Sequence, residues 1–192
     1  MKVGLFFGSF NPIHTGHLVI ANYMATQTDL KEVWFVVSPH NPLKKKTSLA
    51  PNQVRYFLVQ LAIEDNPNFR ASNIEFSLPM PSYTIDTLTV LREKYPEKEF
   101  VLIMGGDNLV TLHKWKNVDL LLRDYAIYVY KRPGLEVPDY SEKGNVRIFE
   151  DVPQMNISAT YIRRCVRNGK SIQYLVPDKV YEEILASNLF SK

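Results

Sequence analysis

Cysteine is nearly absent from this sequence, and the single Cys165 excludes an internal disulfide framework. Lying behind Arg163-Arg164 in a helical-looking segment, it reads as a buried, inert thiol. Long hydrophobic runs are missing too: no stretch approaches the roughly 18 apolar residues of a membrane span. No basic leader with a long apolar run precedes the first strand-like segment, so a cytoplasmic protein without a membrane partner is expected. An excess of either charge is also lacking, with 23 Lys+Arg against 20 Asp+Glu and a net +3. That balance does not suggest a nucleic-acid groove; the local run Lys44-Lys45-Lys46 fits a small polyanion better than a duplex. Neither a Cys/His cluster with zinc spacing nor a Ser-His-Asp or Cys-His arrangement is evident, so no covalent intermediate is required.

What is present is ordinary for a folded domain. The 192 residues are 45% hydrophobic and 22% charged, enough for one domain, 1–192, with a substantial core. No repeat or low-complexity segment interrupts it.

The organising stretch is residues 2–20, KVGLFFGSFNPIHTGHLVI. An apolar run through Phe7 meets Gly8-Ser9, a loop with Phe10, Asn11 and Pro12 follows, and Thr15-Gly16-His17 opens an apolar-periodic segment. This reads as strand, tight loop and helix start, with Thr15 as the expected cap. His14 and His17 straddle the helix start, where unpaired N–H groups and the macrodipole favour an anion. Two imidazoles there suggest phosphate.

Further along, apolar spacing predicts a helix over 18–28 with Leu18, Ala21, Met24 and Ala25 on one face. A buried strand follows at 33–37, then an exposed loop at 38–48, and a helix after Pro51-Asn52 whose stripe is Val54, Phe57, Leu58, Leu61 and Ala62. A weaker strand spans 70–76, and a third helix follows Thr84 or Ser82 as cap. Strand 100–104 runs into Gly105-Gly106-Asp107; helical pieces flank Lys114-Trp115-Lys116. Strands are expected at 126–130 and 146–150, and helices at 159–167 and 177–187. The alternation predicts an α/β fold: a doubly wound, Rossmann-like, mostly parallel sheet with helices on both faces. Its ligands would lie beyond the carboxyl ends of the strands.

Five separated motifs in order resemble those of the bacterial nicotinate-nucleotide adenylyltransferases, within the superfamily that carries an H-x-G-H signature. The first is Gly8 to His17. The second is Asn41-Pro42-Leu43-Lys44, where many relatives read P-P-H-K; the histidine is absent and Lys44 survives as a phosphate ligand. The third is Pro81-Ser82-Tyr83-Thr84-Ile85-Asp86-Thr87, the fourth Gly105-Gly106-Asp107 with Lys114-Trp115, and the fifth Ile157-Ser158-Ala159-Thr160-Tyr161-Ile162-Arg163, with Ala159 in place of a second serine.

The resemblance implies transfer of AMP from ATP to nicotinate mononucleotide, giving nicotinate adenine dinucleotide and pyrophosphate, with Mg2+ carried on the ATP phosphates. It implies catalytic roles for His14, His17, Arg163 and Lys44. The ATP site would comprise Gly8, Ser9, Phe10, His17, Gly105, Asp107, Ile157, Ser158, Thr160 and Arg163, completed by the C-terminal helical part, about 158–192. The mononucleotide site would comprise Asn11, Lys44, Ser82, Tyr83, Thr84 and Trp115, with Trp115 stacking on the pyridine and backbone N–H groups near Thr84 meeting the carboxylate. Asp107 resembles a ribose-binding acid, with service as a helix cap the competing reading. Nicotinamide mononucleotide or phosphopantetheine as acceptor, a non-catalytic nucleotide-binding domain, and a homo-oligomer all stay open at this stage.

Overall fold

The computed structural model describes residues 1–39, 49–132, 134–140 and 145–191. Six strands, β1 (Lys2–Gly8), β2 (Glu32–Val37), β3 (Phe69–Ser72), β4 (Glu99–Gly105), β5 (Ala126–Tyr130) and β6 (Val146–Phe149), form one sheet in the order β3-β2-β1-β4-β5-β6. Every neighbouring pair is parallel. The central strands are continuous apolar runs because both faces are covered. Val33, Phe35 and Val37 of β2 enter one core, Trp34 and Val36 the other.

The first core packs beneath α1 (Thr15–Gln27), α2 (Asn52–Ile63), α6 (Ala159–Arg167) and α7 (Asp178–Ala186). The second packs beneath α3 (Thr84–Lys94), α4 (Gly106–Thr111) and α5 (Val118–Asp124). This is the doubly wound arrangement expected from the alternation, with β1 and β4 at the point where the strand order reverses.

Local differences have local causes. His14, in extended conformation, caps α1 in place of Thr15, whose N–H and hydroxyl turn to the carbonyls of Leu175 and Tyr174 at 3.0 and 3.3 Å. The stretch expected as one strand over 70–76 is β3 followed by a 3-10 turn, Ile74–Ser77, that buries Glu75. Tyr83, with no side-chain capping bond, precedes α3, and Gly105, not Asp107, caps α4. On α2 the buried stripe is rotated by one residue from the expected one: Arg55, Leu58, Val59, Ala62 and Ile63 face inward, while Phe57 is 45% exposed.

That rotation buries an arginine completely. Arg55 has five N–H donors, and all are used. Nε donates to the Ala50 carbonyl at 3.0 Å, one terminal nitrogen to the carbonyls of Ser9 and Ser38, and the other to the Pro39 carbonyl and Asn52 Oδ1. One side chain thereby ties the end of β1, the end of β2 and the start of α2. At the opposite, amino end of β1, Asp29 accepts from Lys2 Nζ at 2.7 Å and from the Tyr128 hydroxyl. These bonds hold its carboxyl at about 2, against an ordinary 3.8.

Two stability tests follow from these clasps. Arg55→Ala strands five acceptors, buried or partly buried, and should destabilise the fold by about 3 kcal/mol or more, read as a lower urea midpoint. Arg55→Lys, with three donors, should recover part of it. A wild-type midpoint in Arg55→Ala would contradict the clasp. Because the Asp29 carboxyl is depressed, its contribution is fully present above 3.8 and lost as pH falls from there toward about 2. Asp29→Asn should therefore unfold more easily than wild type at pH 7, with the gap narrowing below pH 4.

Candidate active site

At the carboxyl end of β1 the chain turns sharply. Phe10 has φ +43, a left-handed conformation that costs a non-glycine residue about 1–3 kcal/mol and recurs at functional sites. Its ring folds back against Gly8, where a Cβ would lie 2.8 Å from the ring. The same ring meets His17 edge-on, centroids 5.1 Å apart. His14 and His17 stack, with centroids 3.7 Å apart and planes 26° from parallel. A Cβ at Gly16 would come within 3.1 Å of the His14 ring, so the glycine between the histidines gives the pair its room.

The two imidazoles differ in their surroundings. His14 is 6% exposed, and burial pushes it down to about 4, so it is neutral at pH 7. Its Nδ1 has no hydrogen-bond partner among the described residues. His17 Nδ1 accepts the His14 backbone N–H at 3.2 Å, which places the proton of the neutral ring on Nε2.

From the far end of the chain, α6 reaches the same loop. Ser158 caps it, its Oγ accepting the Tyr161 N–H at 3.2 Å. Arg163 donates to the Asn11 carbonyl at 2.7 Å and to Thr160 Oγ1 at 3.3 Å. Asn11 Oδ1 in turn accepts the Ala50 N–H at 3.0 Å. Gly8, Phe10, Asn11, His14, His17, Ile157, Ser158, Thr160 and Arg163 thus belong to one cluster around the starts of α1 and α6, with Arg55 beneath it holding the Ser9 carbonyl. None of the Arg55 acceptors is a carboxylate, and burial lowers this guanidinium only to about 10. A full positive charge therefore sits under the loop.

Gly105 and Asp107 lie at the end of β4, beside β1 in the sheet. A side chain at Gly105 would strike the Asp107 carboxylate and come within 3.1 Å of the Tyr130 hydroxyl. Asp107 itself is exposed in the first turn of α4.

At the start of α3, Ser82 is buried, Tyr83 is 37% exposed and Thr84 is the first helical residue. Half-buried Trp115 packs on the edge of the second core, and the following Lys116 binds Asp86 of α3. Behind them is a group the sequence motifs left out. Glu75 is 3% exposed; Thr87 donates to its Oε1 at 2.7 Å, and Oε2 has no partner in hydrogen-bond geometry among the described residues. Burial raises this carboxyl, while the hydroxyls of Thr87, Ser38 and Ser82 pull it partly back. Ser38 therefore touches both halves, its carbonyl bound to Arg55 and its hydroxyl turned to Glu75.

Lys44, and with it His40 and Leu43, lies outside the described residues. Arg55 left a weak signal: Ala62, Val59, Leu58 and Arg55 stand at i, i−3, i−4 and i−7 on one stripe, but the neighbouring stripe through Phe57 is apolar throughout.

A family model described as cytidylyltransferase-like matches residues 5–165. A relative from Cytophaga hutchinsonii, named probable nicotinate-nucleotide adenylyltransferase, is 55% identical over 191 residues, spanning 100% of this chain and 99% of its own. One of the same name from Flavobacterium johnsoniae is 51% identical, with 100% of both chains covered. Among solved structures, Plasmodium falciparum nicotinic acid mononucleotide adenylyltransferase complexed with NaAD superposes with a TM-score of 0.81 at 18% identity, over 99% of this chain and 97% of that one, a likeness of fold. With full-length relatives at this identity, the chain belongs to the nicotinate-nucleotide adenylyltransferase family.

Proposed function

We propose that this chain transfers the AMP part of ATP to nicotinate mononucleotide, releasing pyrophosphate and forming nicotinate adenine dinucleotide in NAD biosynthesis. The observation that carries the reading is the stacked His14–His17 pair at the start of α1, with Arg163 brought to the same loop from α6. A 5′-phosphate oxygen of the mononucleotide attacks the α-phosphorus of ATP in line; the new P–O bond forms as the bond to the β-phosphate oxygen breaks. That phosphate is already ionised at neutral pH, so no general base is required. The protein supplies alignment and charge stabilisation.

In this reading His17 donates through Nε2 to the transferring phosphoryl group, and His14 beside it becomes charged as the polyanion arrives. Arg163, Ser158, Thr160 and the α6 start hold the triphosphate, joined by Lys44. Gly8, Ser9, Phe10 and Ile157 shape the nucleotide cleft, and Asp107 accepts from ribose hydroxyls. The C-terminal part, about 158–192, completes the site within a single domain. Trp115 stacks on the pyridine ring, while Asn11, Ser82, Tyr83 and Thr84 line its pocket and the first N–H groups of α3 meet its carboxylate.

Magnesium is carried in with the ATP phosphates and neutralises charge there. Among the described residues no three His, Cys, Asp or Glu side chains converge to cage a metal. A cytoplasmic enzyme acting on small nucleotides is the matching setting; among the described residues no helix is long and apolar enough to cross a membrane.

A pyrophosphate-release assay with ATP and a panel of acceptors tests the reading, since nicotinamide mononucleotide, phosphopantetheine and no turnover at all each mark a different rival. His17→Ala should lower kcat by about 10² or more with an unchanged urea midpoint, and near-normal turnover would overturn the assignment. Trp115→Ala should raise KM for the mononucleotide with KM for ATP largely kept. Equal loss for both ligands would mark Trp115 as a core residue instead.

A further inference from the structure

The start of α3 carries its own acid. Asp86, the third residue of the helix, lies in the first turn, where the N–H groups of Thr84 and Ile85 have no acceptor within the helix. Lys116, next to Trp115, reaches across to this turn. Its Nζ donates to both carboxylate oxygens of Asp86, at 2.8 and 3.1 Å, and lies 4.7 Å from the centre of the Tyr83 ring. Tyr83, Asp86, Trp115 and Lys116 therefore form one rim.

Resting on the reading that the pyridine nucleotide occupies this pocket, we propose that the Lys116–Asp86 pair is a specificity element favouring an acceptor whose ring bears a carboxylate over one bearing a carboxamide. Alone, Asp86 would repel a second carboxylate brought to the same helix start. Lys116 cancels that charge and adds a cation beside Tyr83, where a ring substituent would lie. A neutral carboxamide feels neither the repulsion nor the attraction. The pair therefore acts on the charge of the acceptor and leaves ring stacking and phosphate alignment to other groups. Both side chains are partly exposed, at 42% and 48%, so an effect of about tenfold is in keeping with screened electrostatics.

The test is steady-state kinetics of wild type, Lys116→Met, Asp86→Asn and the double variant with nicotinate mononucleotide and nicotinamide mononucleotide at saturating ATP. KM for ATP and thermal midpoints are measured alongside. Lys116→Met should raise KM for the acid about tenfold while changing KM for the amide and for ATP less than twofold. Asp86→Asn should keep or increase the acid preference, and the double variant should regain part of what Lys116→Met loses. An ordinary surface ion pair would move thermal midpoints slightly and leave the acid-to-amide ratio of kcat/KM untouched. That result, or equal loss with both acceptors, overturns the assignment while leaving the adenylyl-transfer reading in place. Wild-type turnover with neither pyridine nucleotide would overturn both.

Discussion

The crevice depends on Arg55. A buried cation is tolerated when its donors are satisfied, and this one is satisfied by five acceptors gathered from three segments that are far apart in sequence. The bonds run to backbone carbonyls at Ser9, Ser38, Pro39 and Ala50, so they fix the paths of the loops themselves. Because the acceptors are neutral dipoles, the guanidinium keeps its charge. The same bonds thus do two things: they set the loops after β1 and β2, and they place a positive charge beneath the carboxyl end of the sheet, where the proposed reaction would seat a polyanion.

The histidine pair makes sense against that background. Two stacked imidazoles 3.7 Å apart, above a buried guanidinium, would repel one another if both were protonated. Burial keeps His14 neutral, and His17 accepts a backbone N–H that orders its ring. In the adenylyl-transfer reading, a phosphate brought to the pair would favour protonated imidazole, so that charge would develop on the protein in step with charge on the substrate. This would suit donors that stabilise a phosphoryl transition state better than an acid and base that exchange protons with it.

Much of this was legible in the residues. Buried strands reveal themselves as continuous apolar runs, and so the parallel sheet could be anticipated; α6 spans the expected 159–167. The turn from β1 into α1 was visible because glycine and histidine at that spacing have few structural reasons to coincide. What stayed hidden was long-range. The cap of α1 went to His14 because Thr15 bonds to the chain near Tyr174, a partner 159 residues away. Arg55 was concealed by two adjacent apolar stripes on α2, of which periodicity could not choose the buried one. Glu75 lay in a stretch read as strand, and the hydroxyls turned to it come from two other segments, the end of β2 and the start of α3.

Ser38 joins these hidden residues and makes the two halves of the crevice interdependent. Its carbonyl is held by Arg55 beneath the loop after β1, and its hydroxyl turns to Glu75, which accepts from Thr87 at the start of α3. A shift of the loop after β2 would be felt at both ends of this chain of polar contacts. In-line transfer requires the attacking and departing oxygens to sit on opposite sides of one phosphorus, and small misalignments are costly. A rigid sheet edge supplies coarse alignment. A buried polar chain, whose members lose their partners if they move, would supply the finer constraint between two nucleotides bound as proposed. In that reading Glu75 belongs to the frame that would set the distance between the substrates and does not act on either of them.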